Sequence, residues 1–428
     1  MSQLAILGGE PAITYPMAAF RTLTDEVRRR GHEVLDRESL SGFLGQPGHG
    51  FLGGPEVIAC EATLAASFGA TTAVTFNSWT SGLEASLAAL GVSPGDEVIT
   101  TPWTMSACAA AILHCGGVPV FADICPRTFN IDPTSVDERV GPRTVGILSV
   151  DIFGLPGDYR ELAELAQRRG LFWMVDSAQS PGATYDGRPS GSLADVWGYS
   201  FNYHKHIQSG EGGAALTNSP VTAERLQRIR NHGENAVRHS DTDETLSNMI
   251  GHNFRLGEIE AALISAQLPL LADRISSRQR AAQRIASGIS SLDGVSISEV
   301  PVGRTHAYYV LGMTLALTET GLERRSIVDA LRAEGVPNVM AGYQNLHRLP
   351  MVKRQIGFGS GGFPWRYQAF ARSESGRSST SECAVAERLH DEEFLGLLMC
   401  SHQLEDGDCD AIIGAFHKVW KQRHQLRP

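Results

Sequence analysis

The chain is expected to be an α/β protein: a large domain with a mostly parallel sheet between helices, then a smaller α+β C-terminal domain. Three observations predict this. With 428 residues the chain exceeds the size at which one hydrophobic core usually keeps growing, so two lobes are expected. From about residue 56, short apolar runs alternate with stretches of helical period, the mark of βαβα units. After about residue 256 that rhythm gives way to a mixture of strands and helices. The expected division is 1–255 for an N-terminal segment and the large domain, and 256–428 for a linking helix and the small domain.

The elements follow in order. Glu56–Phe68 reads as a helix closed by Gly69, Ala73–Phe76 as a strand, and Ser81–Leu90 as a helix closed by Gly91. Glu97–Thr101, Pro119–Ala122, Val145–Val150 and Phe172–Val175 read as strands. Met105–His114 and Tyr159–Arg169 are the helices between them, the second closed by Gly170. Short strands alternating with helices imply a parallel sheet covered on both faces. Leu256–Arg280 is rich in helix formers apart from Pro269 and suits a link between lobes. Beyond it come strands at Val295–Ser298 and Ala307–Leu315 and helices at Arg324–Glu334 and Asp408–Trp420. A Gly/Ser-rich stretch between Arg354 and Ser381 has the length of a functional or disordered loop.

Composition narrows the function. Hydrophobic residues are 42% and charged residues 20%, ordinary for a soluble globular protein. The net charge of −10 is spread along the chain, with no basic nucleic-acid footprint and no polybasic membrane patch. No signal peptide is legible at the N-terminus, and apolar runs such as Ala107–Leu113 are too short to span a membrane. Seven cysteines without a C-x-x-C pair favour reduced thiols in a cytoplasm over a disulfide framework or a zinc site, so no metal is expected.

Four segments would carry chemistry at the carboxyl ends of the strands, where open α/β sheets bind ligands. In VTFNSWTSGL (74–83) a strand runs through a polar turn into a helix. The free N–H groups there, with the Thr80 and Ser81 hydroxyls, suit a phosphate, and an ordinary helix cap would look the same. In FWMVDSAQSPGA (172–183) Asp176 directly follows an apolar strand, as a catalytic acid or a loop cap would. In GYSFNYHKHIQSGEGGA (198–214) Lys205 sits among aromatic residues and glycines rather than on a charged helical face. A carbonyl-condensing lysine must lose its proton, which takes desolvation or cationic neighbours, and His204 and His206 flank it. Gly210, Gly212 and Gly213 would let backbone pass close to a flat cofactor. In GHNFRLGEIEAA (251–262), Asn253 and Arg255 precede a helix.

Together these segments resemble the DegT/StrS family of sugar aminotransferases, which are fold-type I enzymes dependent on pyridoxal 5′-phosphate (PLP). The resemblance runs from about Gly42 to the C-terminus. Its aspartate–x–alanine–His/Gln motif is matched by Asp176, Ala178 and Gln179, and its SF…K…GEGG motif by Ser200, Phe201, Lys205, Gly210, Glu211, Gly212 and Gly213. Gly251, Asn253 and Arg255 match its G-x-N-x-R segment. The resemblance implies that Lys205 is the Schiff-base lysine and that Asp176 pairs with the pyridine nitrogen, keeping the ring an electron sink. It puts Gln179 near the ring hydroxyl and Thr80, Ser81 and Ser200 on the phosphate. Asn253 would reach the phosphate of a neighbouring subunit, making the active unit a homodimer with shared sites.

Two departures stand out. Trp79 occupies the place of the family's Gly before the phosphate-binding Thr. The position of the aromatic that stacks on the ring falls on Met105, leaving Met105, Trp79 and Trp103 as candidates. The implied activity is transfer of an amino group from glutamate or glutamine to a keto-sugar or keto-cyclitol in amino-sugar or antibiotic biosynthesis. The opening LAILGGEPA resembles aminotransferases that make aminocyclitols and antibiotic amino sugars. Tyr343, Asn345, His347, Trp365 and Arg366 are candidate substrate contacts by polarity and place in the second lobe. The rivals are a sugar dehydratase, a racemase or lyase on the same fold, and a non-catalytic PLP-binding regulator. The dehydratase subfamily has His at the lysine position. Here the fifth residue after Ser200 is Lys205, and no helix-turn-helix supports a regulator.

Overall fold

The computed structural model describes residues 3–46, 48, 50–233, 250–317, 322–366 and 382–426. Of the Gly/Ser-rich stretch, residues 367–381 lie outside these. The large lobe holds α1 (Asp25–Asp36), α2 (Pro55–Ser67), β1 (Thr72–Phe76), α3 (Trp79–Ala89), β2 (Glu97–Thr100), α4 (Ala107–His114), β3 (Val118–Phe121), α5 (Pro133–Arg139) and β4 (Thr144–Val150). There follow α6 (Tyr159–Arg169), β5 (Phe172–Asp176), a two-stranded ribbon of β6 (Thr184–Tyr185) and β7 (Arg188–Pro189), β8 (Val196–Ser200), β9 (Gly213–Thr217) and α7 (Pro220–Arg230). Local chemistry sets many of the helix starts. Ser78, Asp132 and Ser219 cap α3, α5 and α7 through their side chains, and Pro opens α2, α5 and α7, where a missing N–H costs nothing.

Seven strands form one sheet in the order β1-β9-β8-β5-β4-β2-β3. The pairs β2–β3, β2–β4, β4–β5 and β5–β8 are parallel, while β9 runs antiparallel to both β1 and β8. Helices α3, α4 and α7 pack one face, and α2, α6 and α8 (Glu258–Gln267) the other. Burial on both faces explains why the strands read as continuous apolar runs. The reversed β9 has a direct consequence. An antiparallel neighbour needs no crossover helix, so β8 and β9 join by one loop, 201–212, at the carboxyl end of the sheet. Lys205 stands in that loop.

Pro269 ends α8 as its chemistry requires: a short turn, Leu268–Leu270, intervenes before α9 (Leu271–Ile289). The small lobe is an antiparallel sheet, β10-β11-β13-β12, of β10 (Val295–Ile297), β11 (Val310–Leu315), β12 (Val339–Ala341) and β13 (Phe394–Leu398). It packs on α9, α10 (Arg324–Ala333) and the C-terminal helix Asp406–Gln422. Residues near the N-terminus, grouped by sequence with the large domain, join this lobe instead. Leu4 and Ile13 are buried in its core, and the Ala5 and Ala12 amides donate to the Glu334 carboxylate at 2.8 Å each. Among the described residues no helix is long and apolar enough to cross a membrane.

Candidate active site

The carboxyl ends of β4, β5 and β8 lie side by side, with Val150 level with Asp176 and Asp176 level with Gly198. Asp176 ends β5 and is buried. Its Oδ1 accepts from the Trp79 indole N–H at 2.8 Å and from the Ala178 amide at 3.0 Å, and its Oδ2 from the Cys108 thiol at 3.3 Å. Among the described residues nothing else donates to Oδ2, so one oxygen retains capacity for a ligand donor.

Lys205 is only 8% exposed, and its Nζ sits 4.5 Å from the centre of the Tyr309 ring. Burial lowers its pKa, opposed by the nearby Asp176 and Cys400. The flanking histidines are not the cause. Burial holds His204 down to about 4, with the Lys205 charge second, and holds His206 well below its ordinary value. His206 is therefore a neutral, buried ring whose Nε2 lies 3.1 Å from the Ala307 carbonyl. Desolvation is the mechanism here, not the cationic neighbours that the sequence offered as an alternative.

The glycines after Lys205 serve the chain's own geometry. Gly213 pairs with both Phe76 and Ser200, and a Cβ there would lie 2.4 Å from the backbone nitrogen of Trp79. Only glycine lets the start of α3 settle onto β9. That approach brings Thr80 and Ser81, in the first turn of α3, to the corner where Ser200 ends β8. Thr80 is exposed, and Ser81 is half-buried with its amide bonded to the Ser78 hydroxyl at 3.1 Å. Gly210 adopts a φ of +87°, with open space around the position of a Cβ.

Gln179 is held at both ends: its Oε1 accepts from the Phe153 amide at 2.7 Å and its Nε2 lies 3.5 Å from the Tyr343 hydroxyl. Of the three stacking candidates, Trp103 is fully buried in a cluster with Phe129, Tyr343 and Phe394, and Trp79 is inserted below Asp176. Met105 is 59% exposed. The substrate candidates scatter. Tyr343 reaches the site through Gln179, whereas Asn345 bonds the Ala386 carbonyl at 3.3 Å, His347 pairs with Glu387 at 2.7 Å and the Trp365 indole donates to the Ile356 carbonyl at 3.1 Å. Arg366 is exposed. Asn253 has an exposed side chain, and its backbone bridges Asn231, whose Oδ1 accepts from Arg255 at 2.9 Å. Tyr309 and Cys108 were not among the sequence candidates. Each is an unremarkable apolar-context residue, brought in only by folding.

The DegT/DnrJ/EryC1/StrS aminotransferase family matches residues 46–375. The chain belongs to this family. Among curated relatives, the spore coat polysaccharide biosynthesis protein SpsC of Bacillus subtilis (strain 168) is 32% identical over 327 residues, 75% of this chain and 84% of that protein. A putative L-glutamine:3-amino-2,3-dideoxy-scyllo-inosose aminotransferase of Streptoalloteichus tenebrarius is 31% identical over 355 residues, 81% of this chain and 82% of that protein. Among solved structures, DesI in the presence of its TDP-sugar product is 27% identical with a TM-score of 0.80, covering 99% of this chain and 97% of that one. An aminotransferase from Psychrobacter cryohalolentis is 26% identical, also with a TM-score of 0.80, covering 96% and 100%.

As a DegT-family member the chain is a PLP-dependent aminotransferase of fold-type I. Its residues fit that cofactor: a desolvated amine at Lys205, a carboxylate oxygen with spare capacity at Asp176 Oδ2, and a helix N-terminus with hydroxyls beside Ser200.

Proposed function

We propose that this chain transfers the amino group of glutamate or glutamine to a keto-sugar or keto-cyclitol. The observation that carries the reading is the buried Lys205 amine, kept short of its ordinary basicity and within electrostatic reach of Asp176. Its relatives named for amino transfer to sugars and inososes support the substrate class. When bound, PLP supplies an electron sink for the carbanion chemistry of transamination.

The remaining work falls to side chains. Lys205 Nζ holds the cofactor and then serves as the base that takes a proton from the donor's Cα, which a protonated surface lysine could not do. Asp176 Oδ2 holds the proton of the cofactor's ring nitrogen. Gln179, fixed by Phe153 and Tyr343, orients the ring hydroxyl. Thr80, Ser81 and Ser200 bind the phosphate at the start of α3. Tyr309, over Lys205, keeps water from the amine.

The test is a pair of half-reactions. Glutamate or glutamine labelled with ¹⁵N should convert the bound cofactor to its amine form, seen as loss of visible absorbance. Adding candidate keto-sugars, free or nucleotide-linked, should return the colour and put ¹⁵N into the product by mass spectrometry. No response to either donor, with dehydration of the sugar instead, would overturn this reading in favour of the dehydratase.

The active unit is proposed to be a two-fold dimer in which Asn253 reaches the neighbour's phosphate site, supported by the exposure of its side chain. Mixing inactive Lys205→Ala with an inactive Asn253→Ala variant should then restore up to about a quarter of wild-type activity. Half of randomly paired dimers are mixed, and each regenerates one of two sites. No recovery, or an active monomer by sedimentation, argues against sharing.

A further inference from the structure

Trp79 occupies the first position of α3, and its indole is buried between that helix and β8. Two glycines make the space. A Cβ on Gly198 would lie 2.0 Å from the outer edge of the six-membered ring, and one on Gly82 would lie 2.6 Å from it. The sheet is therefore open at the one place where the indole enters it. From there the N–H meets Asp176 Oδ1 at 2.8 Å, nearly 100 residues away in sequence. The two carboxylate oxygens are consequently unlike. Oδ1 receives the indole and the Ala178 amide, while Oδ2 receives only the weak thiol donor of Cys108 among the described residues.

We infer that Trp79 is a positioning residue for Asp176: its indole N–H anchors Oδ1 so that Oδ2 faces the cofactor's ring nitrogen. The inference rests on the reading that Asp176 pairs with that nitrogen, and goes beyond it by naming what aims the carboxylate. A carboxylate held by one fewer donor turns more freely and is more basic, so both the geometry and the strength of its pairing change. Trp79 takes no part in stacking on the ring, because its own ring is enclosed by Gly198, Gly82 and the start of α3.

Trp79→Phe keeps an aromatic ring in the niche and removes the donor. In the cofactor-loaded enzyme it should weaken PLP binding about tenfold, the order expected for a hydrogen bond to a charged group. It should also shift the pH titration of the visible absorbance and lower kcat for the glutamate half-reaction more than it raises KM. In an Asp176→Ala background the same change should alter PLP affinity less than about twofold, since the side chain that Trp79 orients is gone. In cofactor-free protein, the ultraviolet resonance Raman difference between wild type and Trp79→Phe should carry the band of a strongly hydrogen-bonded indole N–H. Equal losses in both Asp176 backgrounds, an unmoved absorbance titration, or a weakly bonded N–H band would each overturn the inference. If Trp79→Phe does not fold, benzothienylalanine at position 79, with sulfur in place of N–H and nearly the same shape, gives the same readings. Near-normal turnover in Asp176→Asn alone would instead sink the role of Asp176, leaving the Raman result to stand independently.

Discussion

Asp151 and Asp176 present almost the same sequence signature, an acid at the end of an apolar strand, and they sit next to each other. Asp176 closes β5, Asp151 follows β4, and the Asp151 amide donates to the Asp176 carbonyl at 3.0 Å. Their carboxylates do different work. Asp151 is enclosed by hydroxyls: Tyr159 donates to it at 2.6 Å, Ser177 and Ser180 at 2.8 Å each, and the Gly157 amide at 3.2 Å. It ties down the turn that carries Ala178 and Gln179. Asp176 has fewer donors, a thiol among them, and a lysine within electrostatic reach. On the proposed reading, a strand-end acid becomes a ligand group or a brace according to how many of its lone pairs the protein itself consumes.

Five substitutions would break or sharpen that contrast. The largest effect is expected for Lys205→Ala, which should abolish transamination and the adduct that borohydride fixes. Peptide mapping that recovers the reduced adduct on another lysine would show that Asp176 faces the wrong partner.

Next is Asp176→Asn, expected to fold yet lose about 10²–10³-fold in kcat, the scale of removing one preorganised charge partner. Asp151→Asn should stay within about tenfold, because it braces the turn without touching reactants. Comparable losses in steady-state assays of the two variants would dissolve the distinction.

Asp151 has a separate pH signature. Burial pushes its carboxyl up to about 6 from an ordinary 3.8, against the opposing hydrogen bonds. The folded state therefore binds this proton more tightly than the unfolded chain. The contribution is fully present below about pH 4 and is lost as pH rises through about 6, amounting to about 3 kcal/mol. Relative to Asp151→Asn, the melting temperature of the wild type should fall as pH rises from 4 to 7. Parallel melting curves for the two proteins across that range would contradict it.

The smallest effect is expected at Tyr309. Tyr309→Leu keeps Lys205 buried and an apolar group against its amine, losing a ring contact of about 1 kcal/mol or less, so kcat should fall by no more than about fivefold. Tyr309→Ser, which admits water, should cost more and raise the pH at which the amine loses its proton. If the serine variant were the milder of the two, the ring contact would matter more than desolvation.

Much of this architecture is present in local pattern. Strand and helix positions follow from apolar periodicity and capping residues such as Ser78 and Asp132, because those signals act within one turn of chain. The aspartate, the lysine and the GEGG run are also legible, since their spacing is tied to the strand–loop–strand geometry that carries them. What sequence left open was decided by contacts between distant segments. The hairpin return of β9, the burial of His206, the attachment of residues 4–13 to the small lobe and the enclosure of Trp79 and Trp103 each depend on what packs alongside. A local pattern specifies which face of an element is apolar, but not which partner fills the space opposite. Trp79 could lie below Asp176 only because Gly198 and Gly82, from elsewhere in the fold and from its own helix, left that space empty.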